Sequence, residues 1–197
     1  FDAAILFSDI LVIPDALGQQ VDFVPGTGPK LEAISSVEGL KKLSKDRLHD
    51  HLAPVYEAIG RIRNELPDET TLIGFAGAPW TVATYVVEGG GSKDYQKTRK
   101  WAYGAPEEFG LLIDILVDAT SDYLIRQIDS GVEAVQLFDS WAGVLSPSQF
   151  DRWVIEPAQK IIERIRAVHP DIPIIGFPRG AGLLYERFVQ ETEVNAV

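Results

Sequence analysis

Four short apolar runs limit this chain more than any other feature: each closes on small or polar residues, and helical periodicity follows. The runs lie at 4–12, 71–77, 134–138 and 173–177, and residues 194–197 read as the opening of another. They are short, partly β-branched and bounded by Pro or Gly, which predicts buried strands. Between them, Leu48, Leu52, Val55, Ile59, Ile62 and Leu66 recur at spacings of three and four and predict an amphipathic helix over 48–66. A long helix is expected from Pro106, with Glu107 and Glu108 in its first turn, and Phe109, Leu112, Ile113, Leu116, Tyr123, Leu124 and Ile128 inward. Gly131 ends it. Another helix runs from the capping box Ser146-Pro147-Ser148-Gln149 to His169-Pro170 with a bend at Pro157, and a short one covers 183–192. Such alternation predicts parallel strands joined by right-handed crossovers. By itself it does not separate a closed barrel from an open sheet.

Both architectures place ligands just beyond the C-terminal strand ends. In this chain those positions hold Asp9, Tyr85, Ser140 and Arg179. Asp9 interrupts an apolar run, where a carboxylate either caps the next turn or faces a ligand at the strand's open end. The second run leads through Gly77-Ala78 into a helix with Pro79 at its first position, Trp80 and Tyr85 near the opening, and Gly89-Gly90-Gly91 at its end. Residues 13–30 read as a long loop; its Gly26-x-Gly28 lacks the third glycine of a dinucleotide fingerprint.

Composition removes several classes of partner. A net charge of −11 over 197 residues argues against nucleic acid and anionic membranes, which need a basic face. No apolar run reaches the roughly 18–20 residues of a membrane span. With no cysteine, disulfides and thiolate–metal sites are excluded within these residues. His49 and His51 are two apart on a helix, point to different faces, and are expected to be surface residues rather than a metal pair. The basic and aromatic stretch 92–103 is expected to be a solvated helix face. The chain reads as beginning and stopping inside buried elements, so a fragment of a longer domain is expected.

Three motifs then carry a specific resemblance. Phe7-Ser8-Asp9-Ile10-Leu11, the run Gly74-Phe75-Ala76-Gly77-Ala78-Pro79-Trp80-Thr81 with Tyr85 and Glu88-Gly89-Gly90-Gly91-Ser92, and Phe138-Asp139-Ser140-Trp141-Ala142-Gly143 closely resemble the uroporphyrinogen decarboxylase family, in its bacterial form. The likeness runs along nearly the whole chain. It implies an α/β fold, a (β/α)8 TIM barrel of which residues 1–197 cover an incomplete middle portion as a single domain. It also implies decarboxylation of the four acetate side chains of uroporphyrinogen to coproporphyrinogen, on the route to haem, with no metal or organic cofactor. A cytoplasmic homodimer is implied for the complete protein. By motif, Asp9 is the catalytic carboxylate that gathers the pyrrole N–H groups, Tyr85 and Ser140 contact the substrate's peripheral carboxylates, and Phe75 packs on the macrocycle. Arg179 has no motif role and is expected to form a surface salt bridge.

The family's arginine-bearing segment upstream and its C-terminal His-Gly segment are not among these residues. The isolated chain is therefore expected to be inactive and poorly stable, with two open strand edges. Two other readings are weighed. One is a related barrel methyltransferase using zinc thiolate and a corrinoid, which needs cysteine. The other is an inactive, tetrapyrrole-binding relative.

Overall fold

Backbone pairing along the four apolar runs builds a parallel sheet, and the stretches between them fold as helices and one hairpin. The computed structural model describes residues 1–26 and 28–197. In chain order, β1 (Ala3–Ile5) is followed by α1 (Val12–Ala16), β2 (Val21–Val24), β3 (Gly28–Leu31), α2 (Val37–Leu40) and α3 (Leu48–Glu65). Then β4 (Thr71–Gly77) leads into α4 (Pro79–Glu88), α5 (Gln96–Gly104) and α6 (Pro106–Asp129). β5 (Ala134–Asp139) leads into α7 (Pro147–Phe150) and α8 (Glu156–Val168), and β6 (Ile174–Pro178) into α9 (Leu184–Thr192). The sheet order is β1-β4-β5-β6 with every pair parallel, and β2 and β3 pair antiparallel outside it. Ala196 bridges to Ile175 beyond β6, as the opening of a further strand should. The architecture is α/β, an incomplete (β/α)8 barrel.

Local chemistry explains most boundaries. Ala78 is extended and Pro79 occupies the first helical turn of α4, where its missing N–H costs nothing. Gly89 ends that helix in the left-handed region at φ 82°, and its N–H bonds the Tyr85 carbonyl. The inward stripes of α3 and α6 follow the expected periodicity. Around α6 the core is aromatic: the Phe109 ring lies 6.1 Å from Trp80, 5.7 Å from Trp101 and 4.9 Å from Trp153, each pair edge-to-face. Burying each of these side chains contributes about 2–3 kcal/mol.

Five expectations are corrected. The first strand stops at Ile5 rather than Val12, because the Asp9 carboxylate accepts the Leu11 N–H at 2.7 Å and turns the chain. Residues 13–30 are not a loop. They contain most of α1, with Pro14 tolerated in its first turn, and the β2–β3 hairpin; Thr27, the middle of Gly26-x-Gly28, lies outside the described residues. The capping box does not close. The Ser146 side chain caps nothing, and the Gln149 side chain instead accepts the buried Trp153 indole N–H at 2.7 Å. Before Pro157 the backbone widens into a π turn over Asp151–Ile155, which absorbs the proline and separates α7 from α8. Finally, Trp80 does not stand at the opening but is wholly buried in the aromatic core. His49 and His51 are exposed, as expected, and pair with Tyr56 and Asp15. Among the described residues no helix is long and apolar enough to cross a membrane.

Candidate active site

Alternation along the strands puts every second side chain on the sheet face away from α6. Phe75 on β4, Phe138 on β5 and Phe177 on β6 are the last large residues on that face, and Phe7 follows β1. Their rings form a file across the sheet, with centroids 5.6 Å (Phe7–Phe75), 5.4 Å (Phe75–Phe138) and 5.5 Å (Phe138–Phe177) apart. Phe75 is 2% exposed, Phe7 at the end of the file is 78% exposed, and Phe138 and Phe177 are half-buried. Phe7 and Phe75 are stacked and the next two pairs are edge-to-face, which gives an apolar surface of the kind that takes an aromatic or macrocyclic ligand.

Three polar candidates follow rings of this file by two residues: Asp9 after Phe7, Ser140 after Phe138 and Arg179 after Phe177. Asp9 is half-buried after β1; one of its oxygens holds the Leu11 N–H, and the carboxylate has acceptor capacity beyond that bond. Tyr85 is half-buried on α4. Burial pushes its phenol up, an interaction with the Trp141 side chain pulls it down, and the Asp9 charge pushes it further up. Asp9 and Tyr85 therefore lie within electrostatic reach of each other. Ser140, half-buried, opens the turn after β5. Arg179 follows β6, is exposed, and has no acidic partner among the described residues, which corrects the expected salt bridge.

Sequence reasoning overlooked what ties these turns together. Ala78 N–H bonds the Phe138 carbonyl at 2.9 Å, and Trp80 Nε1–H bonds the Trp141 carbonyl at 3.1 Å. The Thr81 hydroxyl donates to Asp139 Oδ1 at 2.5 Å and accepts the Trp141 N–H at 3.0 Å. Arg179 N–H bonds the Asp139 carbonyl at 3.1 Å, and Gly143 N–H the Arg179 carbonyl at 3.0 Å. The backbones approach so closely that a Cβ at Gly143 would stand 2.5 Å from the Gly180 oxygen. The turns after β5 and β6 and the start of α4 are thus tied together by hydrogen bonds. Asp139 is 4% exposed, and burial pushes its carboxyl up to about 7 against the opposing hydrogen bond from Thr81. A carboxylate closing an apolar strand was the signal available for it.

Tyr95 is a second residue the sequence did not single out. It holds φ 51°, a left-handed conformation uncommon for a bulky residue, with its N–H on Ser92 Oγ at 3.0 Å and its ring 5.7 Å from Trp141. Burial pushes its phenol up, as does Tyr85, while Arg99 and Arg179 pull it down. Two tyrosines and two arginines thus gather beside the Ser140 turn. Among the described residues no three His, Asp or Glu side chains are grouped to hold a metal ion.

Comparison with known proteins follows the same lines. The family model described as uroporphyrinogen decarboxylase matches residues 1–197. Curated uroporphyrinogen decarboxylases from Rhodospirillum rubrum and Chelativorans sp. are 52% and 53% identical over all 197 residues, and one from Gluconobacter oxydans is 53% identical over 196. The chain spans only 56–57% of the length of these relatives. Among solved structures, a methyltransferase from Methanosarcina mazei superposes with a TM-score of 0.70 over 89% of this chain and 50% of its own, at 20% identity. At that identity the likeness is one of fold alone.

Proposed function

The chain belongs to the uroporphyrinogen decarboxylase family, and from that premise we propose that it supplies the central part of an enzyme converting uroporphyrinogen to coproporphyrinogen. The observation that carries this reading is a carboxylate, Asp9, two residues beyond Phe7, the end ring of a file of four phenylalanines. Residues 1–197 act as part of one barrel domain. The macrocycle lies on the rings, with its pyrrole N–H groups toward Asp9 and its peripheral carboxylates toward the Tyr85 and Ser140 hydroxyls. Phe75 anchors the apolar side.

The chemistry makes modest demands on these residues. A proton added to a pyrrole carbon beside the acetate-bearing one makes the ring a cation, which accepts the electron pair left as the C–CO2 bond breaks. A proton then goes to the freed carbon, giving a methyl group, and loss of the first proton restores the pyrrole. The substrate is its own electron sink, so the reaction is proposed to need no cofactor. An ionised Asp9 favours the cation, and hydroxyl donors hold the other carboxylates away from it.

Eight substrate carboxylates meet a chain of net charge −11. Cations beyond these residues are therefore part of the proposal, as are the homodimer and the cytoplasmic setting implied by the family resemblance. Methyl transfer is not favoured: the solved methyltransferase is 20% identical, the decarboxylases 52–53%.

The test is product analysis after incubation with chemically reduced uroporphyrin. The chain extended by the flanking segments of its relatives should yield the four-carboxylate product, whereas residues 1–197 alone should yield none. An extended protein that binds the porphyrinogen yet releases no CO2 would sink the enzymatic reading and leave the binding one.

A further inference from the structure

Asp139 is a buried carboxyl for which the proposed reaction has no use. It closes β5 directly before Ser140, and its side chain is met by the hydroxyl of Thr81. Thr81 stands four residues before Tyr85 on α4, so the two share a helix face. The Thr81 hydroxyl has one proton, and it goes to Asp139; the oxygen lone pairs are then left for the Trp141 N–H, whose peptide carries the Ser140 carbonyl. The main chain of Asp139 also receives the Arg179 N–H from the β6 turn. One residue, through its carboxyl to Thr81 and its carbonyl to Arg179, is thus the node from which the groups of three strand ends hang.

We propose that Asp139 is the positioning residue of the strand-end site, setting Ser140 against Tyr85 through the Thr81 hydroxyl. The role assigned to Ser140 and Tyr85 rests on the function proposed above; the tie itself does not. An ionised Asp139 accepts from Thr81 and fixes the direction of that hydroxyl. A protonated Asp139 has an O–H of its own, which competes with the Trp141 N–H for the Thr81 oxygen and loosens the Ser140 turn. No charged side chain enters the balance on Asp139, which burial sets against Thr81 alone. The titratable and charged groups around the turn are Asp9 after β1, Tyr85 on α4, Tyr95 and Arg99 at α5, and Arg179 after β6.

Amide NMR, without ligand and from about pH 5 to about pH 9, of the chain extended by the flanking segments of its relatives tests the tie whatever the porphyrinogen assay gives. The Trp141 and Ser140 amides and the Asp139 side-chain carbon should titrate with one shared midpoint. The amide titration should vanish in Asp139→Asn and in Thr81→Val, and persist in Thr81→Ser. A Trp141 amide that does not move with pH, or that moves alike in Asp139→Asn or Thr81→Val, overturns the proposal. Should either variant fail to fold, the wild-type comparison decides: an Asp139 midpoint different from that of Trp141 also overturns it.

Discussion

Replacing Gln127 with leucine should lower the melting temperature of the chain by about 10 °C. Gln127 lies on α6 and is 2% exposed. Its amide donates to the Phe75 carbonyl at 2.9 Å and its oxygen accepts the Phe75 N–H at 3.1 Å. The need for it comes from β1, which pairs with β4 only as far as Ile73, so that two residues further on the backbone finds its partner in a side chain. Gly74 makes the reach possible, since a Cβ there would stand 2.6 Å from the Gln127 oxygen. Leucine fills similar volume but leaves two buried backbone groups without partners, each costing about 1–3 kcal/mol. The sum is on the order of 4 kcal/mol, and each kcal/mol is worth about 2–4 °C in a domain of this size. A shift of less than about 3 °C in a thermal melt would mean that water or a backbone adjustment replaces both bonds.

Asp9→Asn should reduce turnover by about 10²–10³ in the active protein while leaving its stability nearly unchanged. The substitution separates the two readings that the sequence left open for Asp9. Asparagine keeps an oxygen for the Leu11 N–H, and as a local cap it is about as good as aspartate. What it removes is the negative charge beside the aromatic file. If Asp9 only capped the turn, activity and melting temperature would both stay close to wild type. If its charge steadies a cationic ring, activity falls alone. A parallel loss of both would place the residue in folding rather than chemistry.

The sequence showed the strands and the helices that cover them because period and punctuation agree there: α6 follows its stripe from Phe109 to Leu124, and Pro79 and Gly89 mark the two ends of α4. It was less legible between β1 and α3. Apolar residues on both sides of Ser8 and Asp9, from Ala4 to Val12, hide the turn made by the Asp9 side chain, a decision taken by one hydrogen bond rather than by periodicity. The Ser146-Pro147-Ser148-Gln149 box failed for a similar reason, because Trp153, remote from the capping pattern, claims Gln149. Of the candidate site, Asp9, Tyr85, Ser140 and Arg179 could be located at or just beyond strand ends from the alternation alone, whereas Phe75 was named only through the family resemblance. The tie between Thr81 and Asp139 joins residues 58 apart in the chain, and no local pattern records it. Tyr95 was hidden because its place depends on a left-handed backbone that Ser92 supports.

Strand β1 meets β4 in three registered pairs, whereas β4 with β5 and β5 with β6 have five each. Proteins open locally before they unfold globally, and segments with few ladder bonds exchange their amides first. The strand that leads to Asp9 is therefore the most readily released member of the sheet, while the Ser140 and Arg179 turns are bolted to each other. Gentle warming would free the carboxylate from its partners before the helices lose their signal, and faster amide exchange at Ile5 than at Leu137 would report it.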